Sequence, residues 1–242
     1  MSPISKLNGV TWAALAKAGV VAKATISKVN GIVKPVDNAS IAFLQTADST
    51  TDLSVYTFSS QALGTADSAR YIIVSVVGRG SAALQTISSV TVQGITATAI
   101  QTQANGTSRA SLYVVAVPTG TTGDVVVTWS GTMARMAIGM WRALNITTTA
   151  EATGTSTANP QTSTLSVSAG SIQVAIGYSV ATSTCTWSGT NGPTEDFDSV
   201  VSDASRHSGA SGAQASAVTV TATATFTSST EPCYVSASFA HA

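Results

Sequence analysis

"VTVTATATF", residues 218–226, decides the fold. Val218, Val220, Ala222, Ala224 and Phe226 alternate with Thr219, Thr221, Thr223 and Thr225. Successive side chains of a strand point to opposite faces, so this alternation gathers the apolar groups on one face and the hydroxyls on the other. A helix would scatter both around its surface. The segment therefore predicts a half-buried antiparallel strand, with one face on a core and one in water. "SIQVAIGYSV" (171–180) repeats the pattern with Ile172, Val174, Ile176, Tyr178 and Val180. "CYVSASFA" (233–240) does so with Cys233, Val235, Ala237 and Phe239.

Upstream the strand signals continue. "RYIIVSVVGR" (70–79) is an apolar run of strand length, and "SSVTVQGITATAI" (88–100) reads as a hairpin around Gln93-Gly94. "SLYVVAVP" (111–118), "DVVVTWSG" (124–131) and "MARMAIGMW" (133–141) follow, separated by Gly, Thr and Pro. About ten strands at short spacing, with no helical pattern among them, predict an all-β antiparallel two-sheet sandwich of jelly-roll-like arrangement over residues 37–242. The Thr-rich stretch 145–162 offers an alternative division near residue 150 into two small sandwiches.

The first 36 residues are different. Aligned at a period of eleven they read ISKLNGVTWAA, LAKAGVVAKAT and ISKVNGIVKPV. Ile4, Leu15 and Ile26 share a column, as do Lys6, Lys17 and Lys28; Lys23 and Lys34 share another. An eleven-residue period also suits a right-handed helical supercoil. However, Asn8-Gly9 and Asn30-Gly31 sit between β-type residues, and Asn-Gly is the strongest short hairpin signal, so small hairpins are expected. Lys17 interrupts the apolar run 10–21, and the repeat passes straight through the Ala22-Lys23-Ala24 that imitates a cleavage site, so no signal peptide is expected.

Charge divides the chain. Only 9% of its 242 residues are charged and the formal net charge is zero, yet all five lysines precede Asp37, the first acidic residue. The remainder holds six arginines against eleven carboxylates. A basic arm (+5) thus precedes an acidic body (−5), which points to docking on an acidic partner surface. Nucleic acid is disfavoured, because the arm has no Arg and only Trp12 for stacking. A Ser/Thr-rich surface with few charges suits a chain that works inside a larger assembly. No apolar stretch reaches transmembrane length, so no membrane partner is expected.

Chemical motifs are sparse. "GRGS" (78–81) lacks the Gly, Lys and helix of a phosphate loop. His207, His241, Cys185 and Cys233 have none of the spacings of a zinc site, and the two cysteines are expected as buried free thiols. No metal, cofactor or catalytic residue is expected. The acidic cluster "TEDFD" (194–198), with Asp203 nearby, reads as a solvated loop after the turn "SGTNGP". It offers oxygen ligands for Ca²⁺, and Glu195, Asp196 or Asp198 offers a carboxylate for glycoside hydrolysis. With Trp187, Arg206 and His207 it forms the expected contact surface of the body, for a host surface glycan or another protein.

The arm resembles the short I-x-K-x-N-G-V repeats near the N-terminus of many virion structural proteins of tailed bacteriophages. The body is similar to the Ser/Thr/Ala-rich β-sandwich modules of such proteins, along "GTADSARYIIVSVVGRGS" (64–81), "ISSVTVQGITATAI" (87–100), "VPTGTTGDVVVTWSGTMARMAIGMW" (117–141) and "TEDFDSVVSDASRHSGAS" (194–211). The resemblance implies a non-enzymatic building block of the particle, a head decoration, fibre, spike or tail component. It would be assembled in the host cytoplasm among other virion proteins, and as a homo-oligomer. Ile4, Lys6, Asn8, Gly9, Lys17, Lys23, Ile26, Lys28, Asn30, Gly31 and Lys34 would carry the anchoring.

Overall fold

Backbone pairing in a computed structural model follows the two sequence regimes. The structure describes residues 38–181, 183–201 and 205–242, together with the backbones of four two-residue strands in the arm. Residues 1–38 and Ala39–Ala242 form two separate compact units. In the arm, β1 (Lys6–Leu7) pairs antiparallel with β2 (Val10–Thr11), and β3 (Lys28–Val29) with β4 (Ile32–Val33). Leu7 stands opposite Val10 and Val29 opposite Ile32. Ile4, Asn8, Gly9, Lys17, Lys23, Ile26, Asn30, Gly31 and Lys34 lie outside the described residues, as does the middle copy of the repeat.

Among the described residues the body contains sixteen strands and no helix. They are β5 (Ser40–Ser49), β6 (Leu53–Ala62), β7 (Arg70–Gly80), β8 (Ile87–Val92), β9 (Ile95–Thr96), β10 (Thr98–Asn105), β11 (Ser108–Ala116) and β12 (Thr122–Leu144), then β13 (Ala152–Ser156), β14 (Gln161–Val167), β15 (Ile172–Ser179), β16 (Cys185–Ser188), β17 (Thr194–Val200), β18 (Arg206–Ala213), β19 (Val218–Phe226) and β20 (Cys233–Phe239). The expected hairpin at Gln93-Gly94 joins β8 to β9, with φ of 50° and 75° at its two central residues. Both being positive marks the type I′ turn that matches strand twist. The segments 124–131 and 133–141 are one strand rather than two. Ser130-Gly131-Thr132 bends β12 without ending it, and the register shifts across that bend.

That bend carries the chain from one sheet to the next. Up to Trp129, β12 pairs with β6 and β8; Met133 pairs with both Leu53 of β6 and Gly80 of β7, and from Met136 the strand runs between β5 and β7. The first sandwich therefore has an outer sheet, β6-β12-β8 extended by the short β9, and an inner sheet, β5-β12-β7-β11-β10. The second has an outer sheet β14-β19-β16 and an inner sheet β13-β20-β15-β18-β17. Counting each half from its first strand, and the two parts of β12 separately with β9 set aside, both halves read 1-8-3-6-5 inside and 2-7-4 outside. Consecutive strands largely alternate between the two sheets, as in a jelly roll. The antiparallel sandwich expected from sequence is present, built twice.

The two inner sheets pack face to face. One core lies within the first sandwich, with Ile72, Val74, Val76, Tyr113, Val127 and Ile138. Another lies between the inner sheets, with Ile73, Val77, Leu112, Trp141, Ile176 and Phe239. Strands β7 and β11 are thus buried on both faces, which is why their sequences are nearly continuous apolar runs. Strand β15 corrects the half-buried reading, because all eight of its residues are buried. Ile172, Val174, Ile176 and Tyr178 face the large central core. The small or polar residues between them line the second sandwich, whose interior is thin and partly hydroxylic. There the Ser163 hydroxyl bonds Tyr234 Oη at 2.9 Å and Ser236 Oγ at 2.7 Å.

Two polar clamps fix the loops. Arg70 is buried, and its guanidinium donates to five backbone carbonyls, of Leu63, Gly64, Val117, Thr119 and Gly120, at 2.6–3.1 Å. Those bonds use its fixed fork of donors with no carboxylate. Glu231, between β19 and β20, accepts from Thr107 N, Thr107 Oγ1 and Ser108 Oγ at 2.8–2.9 Å, joining the second sandwich to the β10–β11 turn of the first.

Candidate functional site

The acidic cluster is an edge strand rather than a loop. Residues 194–200 form β17, paired on one side to β18 with a bulge between Glu195 and Phe197, and unpaired on the other. The bulge sends Phe197 into the central core, where it stacks on Phe43 at 5.2 Å between ring centroids. Asp196 Oδ2 accepts from the Trp141 indole N–H at 2.7 Å. Burial raises the pKa of Asp196, and that bond lowers it in part.

Asp198 is committed twice. Its carboxylate forms a two-point ion pair with Arg206, the Arg206 Nε–H reaching Oδ1 at 2.6 Å, and its Oδ2 accepts from Cys185 N at 3.1 Å. The hydrogen bonds that Arg206 donates to Asp198 hold its guanidinium above its usual pKa. Glu195 is the exposed member of the cluster, its pKa raised by desolvation and by Asp198. Two of the three carboxylates are therefore joined to the fold, whereas a glycosidase sets two carboxyl groups on opposite sides of a scissile bond. Asp203 lies outside the described residues. Among the described residues no three His, Cys, Asp or Glu side chains gather around one point.

Trp187 and His207 are corrections to the expected contact surface. Trp187 is half-buried; its indole N–H donates to Ser208 Oγ at 2.8 Å and its ring tilts over Tyr234. It closes the second sandwich instead of offering a free stacking platform. His207 has no exposure at all. It pairs with Tyr178 on the neighbouring strand and points into the central core, because alternation along β18 turns every second side chain inward. Cys185 and Cys233 are free and buried as expected, and burial pushes both thiols up to about 12.

One concave surface of the body was not singled out in the sequence. Ile87, Ile100, Gln101, Arg109, Ser111 and Tyr113 line a hollow of about 290 Å³ beside the β10–β11 hairpin. Arg109, Ser111 and Tyr113 are spaced i, i+2, i+4 along β11 and so share one face. That spacing was readable in "RASLY", but only the fold shows that Arg109 and the edge of Tyr113 border a hollow. In the arm, Lys6 and Lys28 each open a strand of a two-residue hairpin.

No known protein family, curated protein or solved structure matches this chain.

Proposed function

We propose that this chain is a non-enzymatic structural component of a tailed-phage virion. Its arm, residues 1–36, anchors it to other virion proteins, and its double sandwich is displayed as a head decoration, fibre, spike or tail element. The observation that carries this reading is the arm. It is a compact unit of its own, it holds every lysine, and its first and third repeats each pair two short strands. Isolated two-stranded hairpins are marginal at best in water, so such units gain order against a partner surface. The +5 charge of the arm favours an acidic one. On this reading the chain is a homo-oligomer, assembled in the host cytoplasm and carried in the virion.

Deleting residues 1–36 tests it. The truncated body keeps its β-type circular dichroism and its unfolding midpoint, and no longer joins particles assembled in its presence. Incorporation at the level of the full chain would sink the reading.

A further inference from the structure

Each sandwich sets a three-stranded core of an outer sheet against five inner strands, so in each the cover is narrower than the inner sheet. The second sandwich closes this gap with its own side chains. Over β17–β18 lie the Trp187 ring, bonded to Ser208, and the Asp198 carboxylate, paired with Arg206. The first sandwich leaves a hollow on the counterpart face of β10–β11, beside the largely buried Tyr113. There Arg109 takes up no carboxylate. Its Nε–H donates to Gln85 O at 2.9 Å and its Nη1–H to Thr102 Oγ1 at 3.0 Å, and among the described residues Nη2 meets no acceptor. The Tyr113 hydroxyl likewise has no hydrogen-bond partner among them.

The lining selects the ligand. No acidic residue borders the hollow, which removes cations and leaves Arg109 as its single charge. Ile87, Ile100 and the Tyr113 ring supply an apolar floor, while Gln101 and Thr102 supply polar atoms at the rim. Ile100 is the extra residue of a bulge in β10, and a second hollow of about 250 Å³ begins on its other side, edged by Thr98, Thr148, Thr149 and Thr153. Each hollow is near the small end of the ~300–1,000 Å³ typical of ligand pockets, so each suits one ring rather than a long ligand. A sugar ring has an apolar C–H face and hydroxyl edges, and the missing carboxylate is what the counterpart site provides for itself.

We propose that these adjoining hollows bind a short stretch of acidic polysaccharide, with a sugar carboxylate on Arg109 and Tyr113 and the ring's C–H face on Ile87 and Ile100. Bidentate contact between guanidinium and carboxylate gives such a site both strength and orientation. The assignment does not rest on the anchoring role of the arm, and each can fail while the other stands.

The test titrates the full chain with galacturonate and hyaluronan tetrasaccharides and with sialyllactose. Calorimetry gives the affinity and amide chemical shifts give the place. Carboxyl-reduced tetrasaccharides and an oligoglutamate peptide serve as comparisons. At least one acidic glycan binds, shifting amides within residues 98–113, and its carboxyl-reduced form binds at least about tenfold more weakly. Arg109→Gln lowers that affinity by about tenfold or more, and Tyr113→Phe by roughly threefold. Arg109→Lys, which keeps the charge but not the fork, retains an intermediate affinity, and the unfolding midpoints of Tyr113→Phe and Arg109→Lys stay with that of the parent chain. Failure of the whole acidic panel to bind overturns the proposal. So does binding that both Arg109→Gln and Tyr113→Phe leave unchanged, equal binding of the neutral forms, or tighter binding of oligoglutamate.

Discussion

His207 lies in the wall between the two sandwiches. Its Nε2 is 3.2 Å from the hydroxyl of Ser75 on the facing inner sheet, and Phe197 meets its ring edge-on at 4.8 Å. Ser75 Oγ already accepts the Gly139 N–H at 2.9 Å, and its hydroxyl donates to Gly139 O at 3.3 Å. The consistent assignment places the imidazole proton on Nε2, donating to Ser75, and leaves the Nδ1 lone pair without a partner among the described residues. An unpaired lone pair costs less than an unpaired N–H would.

Burial pushes the pKa of this imidazole down to about 3. In the unfolded chain it is near the ordinary ~6.5, so between these values the unfolded state binds the extra proton. The contribution of neutral His207 to stability is therefore complete above pH 6.5 and is lost as pH falls toward 3, by up to about 1.4 kcal/mol per pH unit. His207→Gln should give a shallower fall in the urea midpoint between pH 7 and pH 4 than the parent chain, since all other titrating groups are common to both. Parallel curves would show that His207 carries no such linkage.

At the scale of elements, the β10–β11 turn and the β19–β20 connection depend on each other. Three donors of Thr107 and Ser108 converge on one oxygen of Glu231, and Asn105 Nδ2 donates to Pro232 O at 3.2 Å. Gly106, with φ of 57°, lies so close to the Glu231 side chain that a Cβ there would collide with it. Glu231→Ala should cost about 2–3 kcal/mol in denaturant unfolding, since partly buried donors lose an ionised acceptor. Glu231→Gln should cost less, and both variants should raise amide exchange in residues 105–108 and 229–232 together. Exchange rising in one loop alone would show that the two loops are independent.

Local pattern made some elements legible and hid others. The strict alternation of 218–226 named β19 and its exposed threonine face, and Gln93-Gly94 named the β8–β9 hairpin. Residues 194–198 carry no such alternation, because a bulge interrupts it and an edge strand tolerates charge on its open side. The site around Tyr113 was hidden for another reason. Its residues are ordinary strand residues until the fold leaves a hollow beside them.

Across the whole molecule, the contacts between the halves are reciprocal. Strand β5 lies over β17 and β18 of the second sandwich, while β10 lies over β13 and β20. First strands thus meet fifth strands in both directions, the pattern of an isologous dimer held in one chain. The shared core explains why neither half can dispense with the other. Ile73, Leu112 and Trp141 from the first and Ile176, Val235 and Phe239 from the second would otherwise face water. Residues 39–148 and 150–242, produced separately, should aggregate or bind hydrophobic dyes, and the intact body should unfold in one transition. Two soluble monomeric halves, each with a cooperative transition of its own, would contradict the shared core.

The sequence by itself determined the β class, the two faces of each alternating strand, the tight hairpins, and the division between a basic arm and an acidic body. These follow from side-chain period and turn chemistry, which act over a few residues. Only the tertiary structure decided that the sandwich is built twice and that β15 is buried on both faces. It alone decided that His207 is internal, and that Arg109 lacks the carboxylate Arg206 has. Strand pairing joins backbone groups that are alike at every residue, so distant partners are chosen by how the faces pack and not by any local signal.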